Sequence, residues 1–263
     1  MTGPFIYYVA AGLCVGIMVG LTGVGGGSLM TPLLILVFGQ SPSVAVGTDL
    51  AFAAVTKGIA TAFFGYSRRV DWQIVGLLIL GSVPGAGAAI TWFALAPSPI
   101  VVDHLVSRVL AAMLGLTAIA LLLQHPLRHL RLKVVARMAR AKQYQRVFTV
   151  MAGFFLGAAV TLTSVGAGAV GTVALVWLYS IRLPSDRLVA TDVAHALPIT
   201  VIAGVGHAAL GHLNLPVLAC LLIGSIPGVL LASRVVIRLP QEITRGLIAV
   251  MLVVAASRML LNG

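Results

Sequence analysis

The chain has 263 residues, of which 60% are hydrophobic and only 9% are charged, with a mean hydropathy of +1.09. Because a soluble domain carries about 25% charged residues, this composition excludes a water-soluble globular protein and predicts an integral membrane protein. The net charge of +11 does not predict a nucleic-acid partner, because seven of the 17 basic residues lie between Arg128 and Arg146. Such a cluster is typical of a cytoplasmic loop that touches anionic lipid heads.

Eight hydrophobic segments follow one another along the chain. Six have a length suited to a single span, since about 20 residues cross the hydrocarbon. These six are 44–65, 72–96, 105–123, 188–208, 214–236 and 243–261. Segments 5–38 and 147–180 are too long for one span, and glycines interrupt each near its middle. We therefore expect each to form a hairpin of two short helices around an unwound turn, which gives ten helices, four of them short.

The glycine interruption belongs to a pattern that occurs twice, about 143 residues apart. The first copy comprises TGVGGG at 22–27, TD at 48–49 and GSVPG at 81–85. The second comprises TSVGAG at 163–168, TD at 191–192 and GSIPG at 224–228. A duplicated helix break at membrane depth is typical of secondary transporters. The sequence thus predicts an N-terminal repeat, 1–123, a basic linker, 124–146, and a C-terminal repeat, 147–263.

The distribution of charge predicts how the repeats lie in the membrane. With the linker in the cytoplasm, a hairpin at 147–180 places four arginines inside, whereas a single crossing places them outside, against the positive-inside rule. They are Arg182, Arg187, Arg234 and Arg238. The Arg68-Arg69 loop is then cytoplasmic, and the matching 209–213 loop lies outside. The sequence predicts an all-α inner-membrane protein of two inverted repeats, each a broken helical hairpin plus three transmembrane helices, with both termini extracytoplasmic.

The two glycine turns are the predicted anion site. Unwound glycines expose backbone N–H groups, and the short helix after each turn, beginning near Ser28 or Ala169, points its positive end at the same place. The alternative is that these glycines only permit close helix packing. The turn residues assigned to substrate binding are Thr22, Gly23, Gly25, Gly26, Gly27, Ser28, Thr163, Ser164, Gly166 and Gly168. The hydroxyls of Thr31, Thr161 and Thr172 are further neutral donors.

Two side chains within the spans join this predicted site. Lys57 is the only lysine inside a predicted span, where a cation is costly and usually faces a cavity or a partner. It would contact the substrate anion or Asp49, or else extend to the interface. His195 stands where the first repeat has Phe52, and it would donate to an oxyanion, carry a proton or simply fill the core.

Four further residues are assigned to coupling or gating. Asp49 and Asp192 each follow a threonine, four or five residues into a predicted span. They would either complement the helix dipole from the first turn or serve as protonatable groups. Pro84 and Pro227 would break the third span of each repeat and act as hinges or as rigid bends.

These motifs resemble those of the TauE/SafE sulfite exporter family, also called the sulfonate uptake permease family. The matching segments are 20–32, 45–49 and 81–85, with weaker copies at 163–172, 189–192 and 224–228. The resemblance covers essentially the whole chain and implies transport of sulfite, sulfoacetate or another sulfonate, with export favoured. The second copy has fewer glycines, so the two half-sites should differ chemically.

We therefore predict a secondary transporter, not an enzyme, that works by alternating access with protons as a candidate coupling ion. The alternatives are a thiosulfate or sulfide importer of the same architecture, an anion channel with a Gly-lined filter, and an intramembrane enzyme. No cofactor is expected, and no metal, since the histidines lack metal-site spacing. The expected partners are a small sulfur-containing anion, membrane lipid and a second copy of the chain in a homodimer.

Overall fold

The computed structural model describes residues 5–22, 27–66, 69–123, 142–166, 168, 170–180, 182–234 and 241–262, and these contain helices and connecting turns but no strand. Ten helices occur there. They are α1 Phe5–Thr22, α2 Gly27–Leu36, α3 Pro42–Tyr66, α4 Trp72–Leu95, α5 Pro99–Leu123, α6 Lys142–Thr163, α7 Val170–Tyr179, α8 Ser185–Ala209, α9 Leu215–Arg234 and α10 Gln241–Asn262. The predicted all-α fold is confirmed.

Four helical stretches in the described part of the chain are long and apolar enough to cross a membrane. They are Trp72–Leu95, Pro99–Ala120, Tyr144–Thr163 and Asp186–Ala209. Each has at least the length of about 20 residues that is required to cross the hydrocarbon. Together with the composition, these stretches support a multi-pass membrane protein.

Both long hydrophobic segments are interrupted where the glycine patterns predict. In the first, α1 ends at Thr22 and α2 begins at Gly27; in the second, α6 ends at Thr163 and α7 begins at Val170. Only α2 and α7 are short, with 10 residues each, while α1 has 18 and α6 has 22. The expectation of four short helices was therefore wrong. The prediction took helix length from the hydrophobic segment 147–180, but a helix can continue beyond its hydrophobic part. Helix α6 does so, since it begins at Lys142.

Two helix pairs join the repeats through glycines spaced four residues apart. Helix α4 packs against α6: a Cβ at Gly81 would lie 2.7 Å from Phe154 N, and one at Gly157 would lie 2.7 Å from Ser82 Cα. Helix α1 packs against α9 in the same way, with Gly12 and Gly16 against Leu221 and Ser225. In both pairs, an earlier residue of one helix contacts an earlier residue of the other, and a later residue contacts a later one, so the two helices are parallel. Small residues at this spacing allow backbones to approach closely.

The prediction that prolines break the third span of each repeat was wrong. Helix α4 runs unbroken through Pro84, and α9 runs unbroken through Pro227. Membrane helices tolerate proline because neighbouring helices and side chains satisfy the backbone groups that it frees. The glycine after each proline faces the partner helix, as Gly85 does against Phe154. A coupling or gating role for the two prolines stays a prediction.

Helices α3 and α8, the matching 25-residue helices of the two repeats, pack against each other. Thr61 Oγ1 lies 3.5 Å from Val193 O, whereas a Cβ at Gly204 would lie 3.5 Å from Ala51 N. Because a later residue of one helix meets an earlier residue of the other, the two are antiparallel. Inverted repeats require this relation between matching helices, although the inverted topology across the bilayer stays a prediction.

Candidate functional site

The candidate site residues of α3 and α8 are titratable side chains buried at the contact between the repeats. Asp49 and Lys57 belong to α3, and Asp192 and His195 belong to α8; their side chains are 0%, 4%, 1% and 1% exposed. The two aspartates do not lie in the first helical turn, as one interpretation supposed. Since α3 begins at Pro42 and α8 at Ser185, each aspartate lies a turn deeper, facing the hairpins.

Each aspartate accepts a hydrogen bond from a threonine of its own hairpin. Thr31 Oγ1 in α2 donates to Asp49 Oδ2. Thr172 Oγ1 in α7 donates to Asp192 Oδ2 at 2.8 Å. These threonines were predicted as neutral donors for a substrate, and in this structure their hydroxyl protons serve the carboxylates instead. The two repeats thus hold their short helices by the same pair of residue types.

The Asp192 carboxylate lies at the beginning of α7, whereas Asp49 lies beside Thr31, the fifth residue of α2. A Cβ at Gly171, the second residue of α7, would lie 2.9 Å from Asp192 Cγ. The backbone N–H groups of Gly168 and Thr172 lie beside the same carboxylate, as the backbone N–H of Thr31 lies beside Asp49. Helix N-termini attract negative charge because their first N–H groups have no partner within the helix. The beginning of α7, which was predicted to bind the substrate, therefore holds an anion of the chain itself.

Lys57 interacts electrostatically with both aspartates. It comes from the interior of α3 and also acts on His195. The sequence left Lys57 to contact the substrate anion or Asp49, or to extend to the interface; in the structure it interacts with Asp49 and also with Asp192. With both aspartates ionised, the cation and its two partners carry a formal charge of −1. Buried charges are stabilised only when paired in this way.

The second glycine turn is built from left-handed residues. Ser164 has φ 59°, an uncommon value for a residue with a side chain, while Gly166 and Gly168 have φ 117° and 118°. Thr163 caps the end of α6: its hydroxyl accepts from Val165 N at 3.1 Å and donates to Ala159 O at 2.7 Å. Ser164 lies beside Asp49. Strained backbone of this kind clusters at functional sites, and at membrane depth it must be buried in protein.

The first glycine turn lies between α1 and α2. Gly23, Gly25 and Gly26 lie outside the described residues. Thr22 ends α1 and Gly27 begins α2, followed by Ser28. Their assignment to substrate binding stays a prediction.

His195 connects the site to α4. Its Nε2 lies 3.1 Å from Ser82 Oγ, in the first GSVPG copy. A second buried histidine of α8, His207, lies elsewhere: its Nε2 is 2.9 Å from Thr161 O, and its ring packs edge-on against Phe93. Ser82 was part of a recognised motif, but only the fold brings it to His195.

A structural role for the duplicated threonines was missed. Thr191 Oγ1 accepts a hydrogen bond from Asp71 N at 3.0 Å, and Thr48 Oγ1 accepts one from Asn214 N at 3.1 Å. Asp71 and Asn214 stand immediately before α4 and α9, and their side chains accept from first-turn N–H groups. The threonine of each Thr-Asp pair therefore joins the start of a helix in the other repeat. The sequence offered one indication of this role: Asp71 and Asn214 occupy matching positions in the two repeats, and Asp and Asn are favoured as helix N-caps.

Comparison with known proteins places the chain in one family. The family described as sulfite exporter TauE/SafE matches residues 8–259. The probable membrane transporter protein YjnA of Bacillus subtilis (strain 168) is 36% identical over 231 residues, which cover 86% of this chain and 88% of the relative. The probable membrane transporter protein YdhB of the same organism is 25% identical over 235 residues, or 89% and 91% of the two chains. No solved structure matches significantly. The chain therefore belongs to the sulfite exporter TauE/SafE family, and it is a membrane transporter.

Proposed function

We propose that this transporter moves sulfite, sulfoacetate or a related organosulfonate anion by alternating access. The observation that carries the proposal is the buried Lys57 of α3, which interacts with an aspartate of each repeat. The name of the family supports a sulfur oxyanion as substrate. Export is the proposed direction, with protons as the proposed coupling ion.

The site holds groups that an oxyanion can use: the ammonium group of Lys57, the turn's N–H groups and hydroxyls such as Ser164. Lys57 and the N-terminus of α7 attract negative charge. The two aspartates oppose an anion while they are ionised, so the site favours one once they are protonated. A site with this mixture binds an anion without holding it so strongly that it cannot leave.

The matching antiparallel helices α3 and α8 support alternating access. In inverted-repeat transporters the substrate site lies where the repeats meet, and the repeats rock around it. Lys57 lies close to where α3 crosses α8, since a Cβ at the next residue, Gly58, would lie 3.8 Å from Leu197. A site at this crossing can open to either side while it keeps its ligands.

Flux through proteoliposomes tests the proposal. Purified protein should take up radiolabelled sulfite and sulfoacetate saturably, faster with a pH gradient than without one. Lys57→Ala should abolish the uptake, whereas Lys142→Ala at the start of α6 should preserve it. If no sulfur oxyanion shows saturable flux, the proposal fails. Transport of thiosulfate or sulfide alone would favour the importer, and unsaturable flux would favour a channel.

The proposed orientation has its own test. A cysteine introduced at Gly211, between α8 and α9, should react with an impermeant thiol reagent added outside intact cells. Gly211 has φ 77° and open space around its Cα, so the substitution Gly211→Asn serves as a matched control for the backbone strain. Reaction only from the cytoplasmic side would reject the inverted topology.

A further inference from the structure

We propose that Asp49 and Asp192 are internal anions that occupy hydrogen-bond donors of the two short helices in the empty transporter, so that a substrate anion binds only together with protons. This inference rests on the proposed function, since it concerns the same site. It goes further by assigning the proton sites and by making proton uptake a condition of binding rather than only of transport.

The geometry gives the two carboxylates the positions that a bound anion would need. Each accepts a hydroxyl hydrogen bond from the short helix of its own hairpin, Thr31 for Asp49 and Thr172 for Asp192. Each also lies beside backbone N–H groups of that hairpin. A substrate oxyanion would require the same kinds of donor. The carboxylates and the substrate therefore compete for one set of groups.

Formal charge shows why protons must accompany the anion. Lys57 and two ionised aspartates sum to −1, so a monovalent anion would raise the buried charge to −2. Like charges at close range in a low-dielectric interior repel strongly. One proton taken up with the anion restores −1, and two protons give a neutral site. The site should therefore take up at least one proton for each negative charge that the bound substrate carries.

The surroundings of each carboxylate leave an oxygen to receive the proton. Asp49 Oδ1 and Asp192 Oδ1 are buried and have no hydrogen-bond partner among the described residues. Ser164 from the second turn faces Asp49, and His195 is the other titratable side chain that interacts with Lys57. Protonation turns a carboxylate from an acceptor into a hydroxyl donor. A protonated aspartate could then donate to the substrate instead of repelling it.

Binding measured in detergent tests this inference without transport. Sulfoacetate is the probe, because its sulfonate and its carboxylate are both ionised between about pH 6 and about pH 8.5, so it stays a dianion that should bind with at least two protons. We expect Kd to rise about tenfold per pH unit for each proton bound, since proton and anion binding are linked. A pH-indicator dye should record proton uptake when sulfoacetate is added to weakly buffered protein.

Isosteric variants identify the groups that take up the protons. Asp49→Asn and Asp192→Asn keep an acceptor oxygen for the threonine but remove the titrating charge. Each should flatten the pH dependence of Kd and tighten binding at high pH. Asp186→Asn, an exposed position on the same helix as Asp192, should leave the slope unchanged.

The outcomes separate this inference from the proposed function. If sulfite and sulfoacetate do not bind at any pH, the proposed function fails. If sulfoacetate binds saturably with a pH-independent Kd and no proton uptake, the proposed function stands and the internal-anion inference is overturned. Unchanged slopes in both Asn variants would also overturn it. Should neither variant fold, proton uptake by the wild-type protein decides alone.

Discussion

Replacement of Gly81 by alanine tests the close contact between α4 and α6. A Cβ at this position would lie 2.7 Å from Phe154 N and 2.9 Å from the Val150 carbonyl carbon, and nearer still to the Val150 oxygen. Backbone atoms cannot rotate away as a side-chain end can, so the two helices must separate. Overpacking of this kind costs about 1–3 kcal/mol.

The same helix provides the control. Gly76 also lies in α4, but a Cβ there would meet nothing within 4 Å. Gly76→Ala should therefore be neutral or stabilise the helix by up to about 1 kcal/mol, the difference in helix propensity. Because both variants gain the same helix propensity, they should differ by the overpacking cost of about 1–3 kcal/mol, and for a chain of this size each kcal/mol shifts Tm by about 2–4 °C.

Thermal unfolding of the purified protein in detergent measures this difference. Gly81→Ala should unfold several degrees below Gly76→Ala at the same protein and detergent concentrations. Equal Tm values for the two variants would refute the close contact, because they share helix, substitution and change in propensity. A similar loss in both would indicate that alanine disturbs α4 for another reason.

Three further changes test the hydrogen bonds and the pH dependence. Thr191→Val should destabilise the fold by about 1–3 kcal/mol, because it leaves Asp71 N–H without its acceptor; Thr191→Ser should restore the Tm, and an unchanged Tm in the valine variant would contradict the contact. Ser82→Ala should change the nitrogen-15 shifts of the His195 ring while the overall helicity stays constant, and identical ring spectra would exclude the hydrogen bond. Burial lowers the pKa of His212, in the turn after α8, below its ordinary 6.5, so the unfolded chain binds the proton more readily and stability is lost as pH falls below that value. His212→Asn should make the Tm less sensitive to acid, and an equally steep decline would show that other groups are responsible.

The charged residues of the candidate site were predictable, because residue type alone reveals an ionisable group within an apolar span. Lys57 stood out because a lysine is rare within an apolar span, and the duplicated Thr-Asp pairs identified both aspartates. The partners of these groups were not predictable. Thr31 and Asp49 are 18 residues apart in the chain, and nothing in their spacing says that α2 folds back onto α3.

The environments of the helical glycines were also not predictable from the sequence. Gly12, Gly81 and Gly157 look alike in sequence to Gly76, since each is a glycine in an apolar helix. Three of them are pressed against backbone of another helix, and the fourth faces open space. Hydropathy reports how each residue partitions between water and lipid, and it cannot distinguish a lipid-facing glycine from one that faces a helix.

The sequence by itself determined the membrane class, the duplicated pattern, the interruption of both hairpin segments and the residues that carry charge. Those properties follow from local quantities: hydrophobic run length, glycine content and the cost of burying an ion. The tertiary structure alone decided that Asp49 and Asp192 accept hydrogen bonds from the two short helices and that both interact with Lys57. The reason is that hydrogen bonds and charge pairing depend on distance in space, and packing of α3 against α8 sets that distance between residues far apart in the chain.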